Sequence, residues 1–148
     1  MTFPGEAASG HDPGMPVATV RYIVDDVDAA LDFYRRHLGF EEVMHPAPTF
    51  AMLRREGLRL LLSAPSGEGG GGRAMSDGTL PSPGGWNRFA LEVEDLAGEV
   101  AVLRAAGVRF RDDVVVGVGG NQVLLEDPSG NPVELFQPTR PEARSSSA

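Results

Sequence analysis

The residue types in this chain rule out several chemistries. It has no cysteine, so disulfides, thiolate zinc sites and a cysteine nucleophile are excluded. All 13 basic residues are arginine, which removes Schiff-base lysines and the phosphate-loop lysine. No Gly-x-Ser-x-Gly occurs, and Ser63, Ser66 and Ser76 lack a convincing His/Asp partner in the sequence. Gly69–Gly72 does not lead from a strand into a helix, and Gly117-Val118-Gly119-Gly120 precedes a strand, so neither reads as a phosphate loop. Of the three histidines, His11 lies in a Gly/Pro-rich leader and His37 at a helix end; His45 is expected in a loop after a strand, where it could face a pocket as ligand contact or acid/base. A net charge of −8 disfavours nucleic acid as a partner and mildly favours a cationic ligand.

The carboxylate with the most informative setting is Glu134, in Asn121–Pro138 (NQVLLEDPSGNPVELFQP). Gln122–Leu125 reads as a strand, Asp127–Asn131 as a turn, and Val133–Phe136 as a returning strand ended by Pro138. Alternation puts Val133 and Leu135 on one face and Glu134 with Phe136 on the other. Glu134 is therefore either solvated or part of a cavity wall.

The elements that would position it follow a pattern. Val17–Val24 reads as a strand, and Asp26 as the N-cap of a helix whose stripe is Val27, Ala30, Leu31, Tyr34 and Leu38, stopped by Gly39. Phe40–Met44, Phe50–Arg54 and Leu58–Ser63 read as three further strands. Residues 64–85 are Gly/Pro/Ser-rich and read as a flexible linker or flap. The pattern then returns. Arg88–Val93 is a strand, Asp95 a cap, Leu96, Val100 and Leu103 a helix stripe, and Gly107 a stop. Val108–Phe110, Val114–Val116, Val123–Leu125 and Val133–Phe136 are strand candidates. Val24-Asp25-Asp26-Val27 and Val93-Glu94-Asp95-Leu96 repeat at nearly the same offset as Gly39 and Gly107. This predicts an α+β domain of two β-α-β-β-β modules at about 17–65 and 86–138, combining into one curved sheet around a cleft, helices outside. Residues 1–15 and 139–148 are expected to be loose ends. No apolar run approaches the ~20 residues of a membrane span, and the first residues lack signal-peptide features. The expected compartment is the cytoplasm.

The duplicated module resembles the vicinal oxygen chelate superfamily of glyoxalases, bleomycin-resistance proteins and dioxygenases. So do Val24-Asp25-Asp26…Phe33-Tyr34…Leu38-Gly39-Phe40 and Glu126-Asp127-Pro128-Ser129-Gly130-Asn131-Pro132-Val133-Glu134-Leu135. The resemblance implies a divalent metal held by four side chains, one from the first and one from the last strand of each module. Those positions fall on Thr19, Leu61, Arg88 and Glu134, and only Glu134 is of ligand type. A hard cation needs several converging N or O donors. The expectation is instead that Arg88 pairs with Glu134, with no metal and no catalytic residue.

Residues of the same strand parity complete the expected ligand site: Thr19, Arg21, Ala90, Gln122, Leu124 and Phe136. Phe50 and Met52 could lie on either face. Trp86 and Asn87 could cap the site, with core packing equally open for Trp86. The resemblance further implies a homodimer and a metal-free binder sequestering a drug or metabolite, as in bleomycin-resistance proteins. Two alternatives stay open: a lyase, isomerase or dioxygenase with a displaced metal on Glu134, His45 and Gln122, or an accessory module with a vestigial cleft.

Overall fold

The computed structural model describes residues 17–67 and 69–145; His11 and the leader 1–15 lie outside them. The chain parts into two compact units between Pro83 and Gly84. Each is a four-stranded mixed sheet with one helix, and together they carry the β-α-β-β-β order twice. No helix is long and apolar enough to cross a membrane among the described residues.

In the first unit β1 (Ala18–Ile23) is followed by α1 (Val27–Leu38), β2 (Glu41–Ala47), β3 (Phe50–Arg55) and β4 (Leu58–Ser63). The sheet order is β1-β4-β3-β2, with β1 parallel to β4 and the remaining pairs antiparallel. Asp26 starts α1 by accepting from the Ala29 N–H at 3.1 Å. Gly39 ends it at φ 71°, a left-handed conformation that costs a side-chain-bearing residue stability. The whole expected stripe is buried, and Phe33 with it. Tyr34 packs edge-on to Phe33 and Phe40 at centroid distances of 5.2 and 5.5 Å. Beneath lie Tyr22, Ala51, Leu53, Leu60 and Leu62. Each buried leucine contributes about 1.5–3 kcal/mol relative to exposure.

Edge strand β2 runs further than the expected Phe40–Met44 and includes His45 and Pro46. A proline is tolerated there because one side of an edge strand makes no ladder hydrogen bonds. The register shifts between Glu42 and Met44 and again between Met44 and Ala47. His45 is thus a bulged-strand residue, not a loop residue.

The second unit contains β5 (Ala90–Glu92), α2 (Leu96–Ala105), β6 (Val115–Val116), β7 (Gly120–Glu126) and β8 (Pro132–Pro138), ordered β5-β8-β7-β6 with β5 parallel to β8. The expected strands Arg88–Val93 and Val114–Val116 shorten to these limits. Val108–Phe110 reduces to a single bridge between Phe110 and Leu125. The bridge is made by Arg111 N–H donating to Leu124 O and Glu126 N–H to Arg109 O, while Val108 N–H is taken by the helix end, donating to Leu103 O. Asp95 caps α2 through the Gly98 N–H at 3.0 Å. Leu96 and Leu103 are buried, whereas Val100 is half-buried. The core continues with Leu91, Val123, Leu125, Val133 and Leu135.

Residues 64–85 contain no helix or strand among those described, but they fold into turns. Ser66 N–H reaches Gly72 O at 2.6 Å and Met75 N–H reaches Thr79 O at 2.8 Å. The Thr79 hydroxyl, and then its backbone N–H, hold the exposed Asp77 carboxyl below its usual pKa. After β8, Pro141–Ala143 forms a 3₁₀ turn, and Ser145 N–H donates to Glu92 Oε1 at 2.8 Å.

Candidate functional site

Strand β8 presents Glu134 directly opposite Ala90 of β5 and Leu124 of β7. The next residue on that face, Phe136, sits opposite Gln122 and Glu92. Val133 and Leu135 point the other way and are buried, as alternation demands. Ala90, Gln122, Leu124, Glu134 and Phe136 therefore share one face of the second sheet. Phe136 lies so close over Gly120 that a Cβ there would meet its ring at 2.6 Å.

Arg88 grips Glu134. Its Nε and NH2 donate to Glu134 Oε1 at 3.1 and 3.0 Å, while NH1 donates to Trp86 O at 3.3 Å. The side chains are 27% and 14% exposed, so the pair is partly desolvated and stronger than a surface ion pair. The pairing expected from the ligand positions of the resemblance is present.

A second arginine organises the same unit and escaped sequence reasoning. Arg111 Nε donates to Glu126 Oε2 at 2.9 Å, NH1 to Gly85 O at 2.7 Å and NH2 to Gly130 O at 2.9 Å. Its guanidinium lies 4.7 Å from the centre of the Trp86 ring, a cation–π contact. Trp86 is 69% exposed, so the core-packing reading is corrected: the indole is an outer cover on a guanidinium. Asn87 beside it is exposed. The only signal for Arg111 was the Arg109-x-Arg111 alternation facing Glu126, which does not reveal the carbonyls it binds. The turn below is held by Asp127, 1% exposed, which accepts from the N–H groups of Ser129 and Asn131 and from Asn131 Nδ2. Asn131 Oδ1 in turn accepts from Gly84 N–H at 2.7 Å.

In the first unit the β1–β4 and β3–β4 registers align Arg21, Leu61 and Met52, and then Ile23, Ser63 and Phe50. This is the face away from α1, because the alternate residues Tyr22, Leu62 and Ala51 are buried on the other side. The two-way reading of Phe50 and Met52 thus resolves to the face of Arg21. A cavity of about 460 Å³ opens there, lined by Arg21, Pro46, Ala47, Phe50, Gly69 and Gly71. Thr19 and Met52 share the face without lining it.

His45 does not. Met44 pairs with Met52, so the following residue turns to the helix side, where His45 Nε2 lies 3.3 Å from Asp28 Oδ1. That is ion-pair range without the alignment of a hydrogen bond. His37 stacks edge-on against Phe33 at 5.3 Å.

A divalent metal does not fit these residues. Of the four positions the resemblance assigns, Thr19 offers only a hydroxyl, a poor ligand, and the Oε1 of Glu134 already accepts two bonds from a cation. The displaced alternative fares no better, since His45 turns to Asp28 in its own unit. No group of three or more His, Asp or Glu side chains suited to a metal occurs among the described residues.

Comparison with known proteins agrees with this architecture. The family model described as Glyoxalase/Bleomycin resistance protein/Dioxygenase superfamily matches residues 17–135. A member of that superfamily from Sphaerobacter thermophilus is 28% identical, with a TM-score of 0.66 over 83% of this chain and 97% of its own. A lactoylglutathione lyase from Agrobacterium tumefaciens (24% identity, TM-score 0.64, 85% and 96% covered) shares the fold. So does TnmS3, an antibiotic-binding protein from a Streptomyces species (24%, 0.64, 87% and 100%). No curated protein matches the sequence.

Proposed function

We propose, from the premise that the chain belongs to the Glyoxalase/Bleomycin resistance protein/Dioxygenase superfamily, that it binds a small organic molecule without metal chemistry and without turning it over. The superfamily alone assigns no reaction, because one fold carries many sites. The observation that carries the reading is the Arg88–Glu134 pair, which puts a guanidinium on the one carboxylate among the four positions of the resemblance. Removing the ion and keeping the pair leaves a sheet face with apolar and amide groups, Phe136, Leu124 and Gln122, suited to contact rather than to Lewis-acid catalysis. The open cavity of the first unit adds a volume of ligand size, about 460 Å³. TnmS3, described as binding an antibiotic, supports a drug or secondary metabolite as ligand.

Elemental analysis of protein purified without chelator tests this. The expected result is far less than one Fe, Mn, Ni or Zn per chain. A stoichiometric ion that is lost in Glu134→Ala overturns the proposal.

We also propose a homodimer. Val115, Val116 and Val118, on and beside the edge strand β6, are 51%, 80% and 82% exposed, an apolar strip on an unpaired sheet edge. Light scattering should give twice the chain mass, and Val116→Asp with Val118→Asp should halve it. A wild-type mass of one chain excludes the dimer.

A further inference from the structure

We infer that the segment 139–145 is a strap across the Phe136 end of the second unit's binding face, latched by the Ser145 backbone N–H on the Glu92 carboxylate and able to open. This rests on the binding reading above and adds a control of access to that face.

Three observations converge. First, the tail leaves β8 by a fixed path. Thr139 N–H donates to Gly119 O at 3.0 Å, which carries the β7–β8 ladder one step past Pro138. Arg140 Nε then donates to Val118 O at 3.2 Å. The turn Pro141–Ala143 sets Ala143 against the same loop, its Cβ 3.7 Å from where a side chain on Gly119 would begin. These contacts all lie on the β7 side of β8. Second, the tail ends on the other side, where Ser145 N–H donates at 2.8 Å to Glu92 Oε1 of β5. With β8 between β5 and β7 in the sheet, the segment passes from one flank of β8 to the other. Third, Glu92 stands in register with Phe136, so its side chain shares the Phe136 face. The tail therefore folds back from Pro138 to the level of Phe136, whose ring leans toward Gly120 at the same end.

The latch suits a part that opens. Every residue of the segment except Ala143 is exposed, so the strap buries little apolar area and holds by hydrogen bonds to two neighbouring strands and their loop. Such bonds contribute little net stability where water competes for both partners. Segments with few buried contacts open locally while the core stays folded. Opening uncovers Phe136 and its β7 neighbour Gln122.

The chain has no cysteine, so a single introduced thiol reports access in the full-length protein. Gln122→Cys stands opposite Phe136, and Leu124→Cys opposite Glu134, further along the same face. Each is alkylated with iodoacetamide under native conditions and followed by intact mass. Ser145→Pro deletes the latching N–H without touching the face, and Arg144 at φ −78° and ψ 144° already holds the conformation that precedes a proline. It should speed alkylation of Gln122→Cys roughly threefold or more, as the loss of one net hydrogen bond implies, and leave Leu124→Cys at its own rate. Ser145→Ala keeps the N–H and should change neither. Arg140→Ala, which frees the tail from Val118 O, should act in the direction of Ser145→Pro. In the unmutated protein the Ser145 amide should exchange its hydrogen roughly threefold or more slower than in the free peptide 139–148.

An unchanged Gln122→Cys rate in Ser145→Pro overturns the inference, as does a Ser145 amide that exchanges at the free-peptide rate. Equal acceleration at both thiols marks general loosening and overturns it too, and so does acceleration by Ser145→Ala equal to that by proline. None of these readouts involves a ligand or a metal, so their failure leaves the binding function standing. A stoichiometric metal overturns that function without moving them.

Discussion

A double-mutant cycle on Arg88 and Glu134 tests the central pair by its coupling energy. Arg88→Met keeps most of the stem volume and removes the fork that donates at 3.1 and 3.0 Å. Glu134 is then left with its side chain 14% exposed and no cation. Fully exposed pairs are worth about 0.2–1 kcal/mol, and breaking a buried pair costs about 3–5 kcal/mol. Arg88 is 27% exposed, so solvent screening places the expected loss between these limits, about 2 kcal/mol. Glu134→Leu should cost less, about 1 kcal/mol, because the longer Arg88 side chain can bend into water. The double variant should fall short of the sum by about 1–2 kcal/mol. Urea unfolding of the four proteins at neutral pH, read by circular dichroism with m-values held in common, gives the coupling directly. A coupling below about 0.3 kcal/mol lies within the additivity of independent sites and would refute the claim that the two charges answer one another. Arg88→Met should also remain metal-poor, because freeing a single carboxylate does not create a donor set.

Other sites give sharper local readouts. Arg111→Ala removes an ion pair, two bonds to carbonyls and the guanidinium beneath Trp86; it should cost about 2–3 kcal/mol and change the emission of this single tryptophan, and unchanged emission with unchanged stability would show the stack to be incidental. Asp127→Ala strands the N–H groups of Ser129 and Asn131 and the Asn131 amide, for a loss of about 2–4 kcal/mol by thermal or urea unfolding; a loss under about 0.5 kcal/mol would mean the turn stands without its carboxylate.

What could be read from the residues was what backbone geometry repeats locally. The stripe from Val27 to Leu38 buries because a helix returns to the same side every three or four residues. Glu134 and Phe136 part from Val133 and Leu135 because a strand alternates. The Arg88–Glu134 contact was legible one level up, through the family resemblance, which assigns both residues to ligand positions where their opposite charges can meet. Register shifts, loop paths and distant carbonyls lay beyond that reach. Two shifts in β2 turn His45 toward Asp28, and nothing in Met44-His45-Pro46 announces them. Trp86 is exposed, and Arg111 committed, because the chain brings Gly85, Glu126 and Gly130 to one guanidinium. Ser63 reads as an ordinary strand end until the turn at Gly71 comes back over it beside Arg21. Sequence determined which residues of a regular helix or strand share a face, because that depends on near neighbours alone; tertiary structure decided which way Phe50, Met52 and His45 turn and which partners each charge finds, because register and partners arrive from far along the chain.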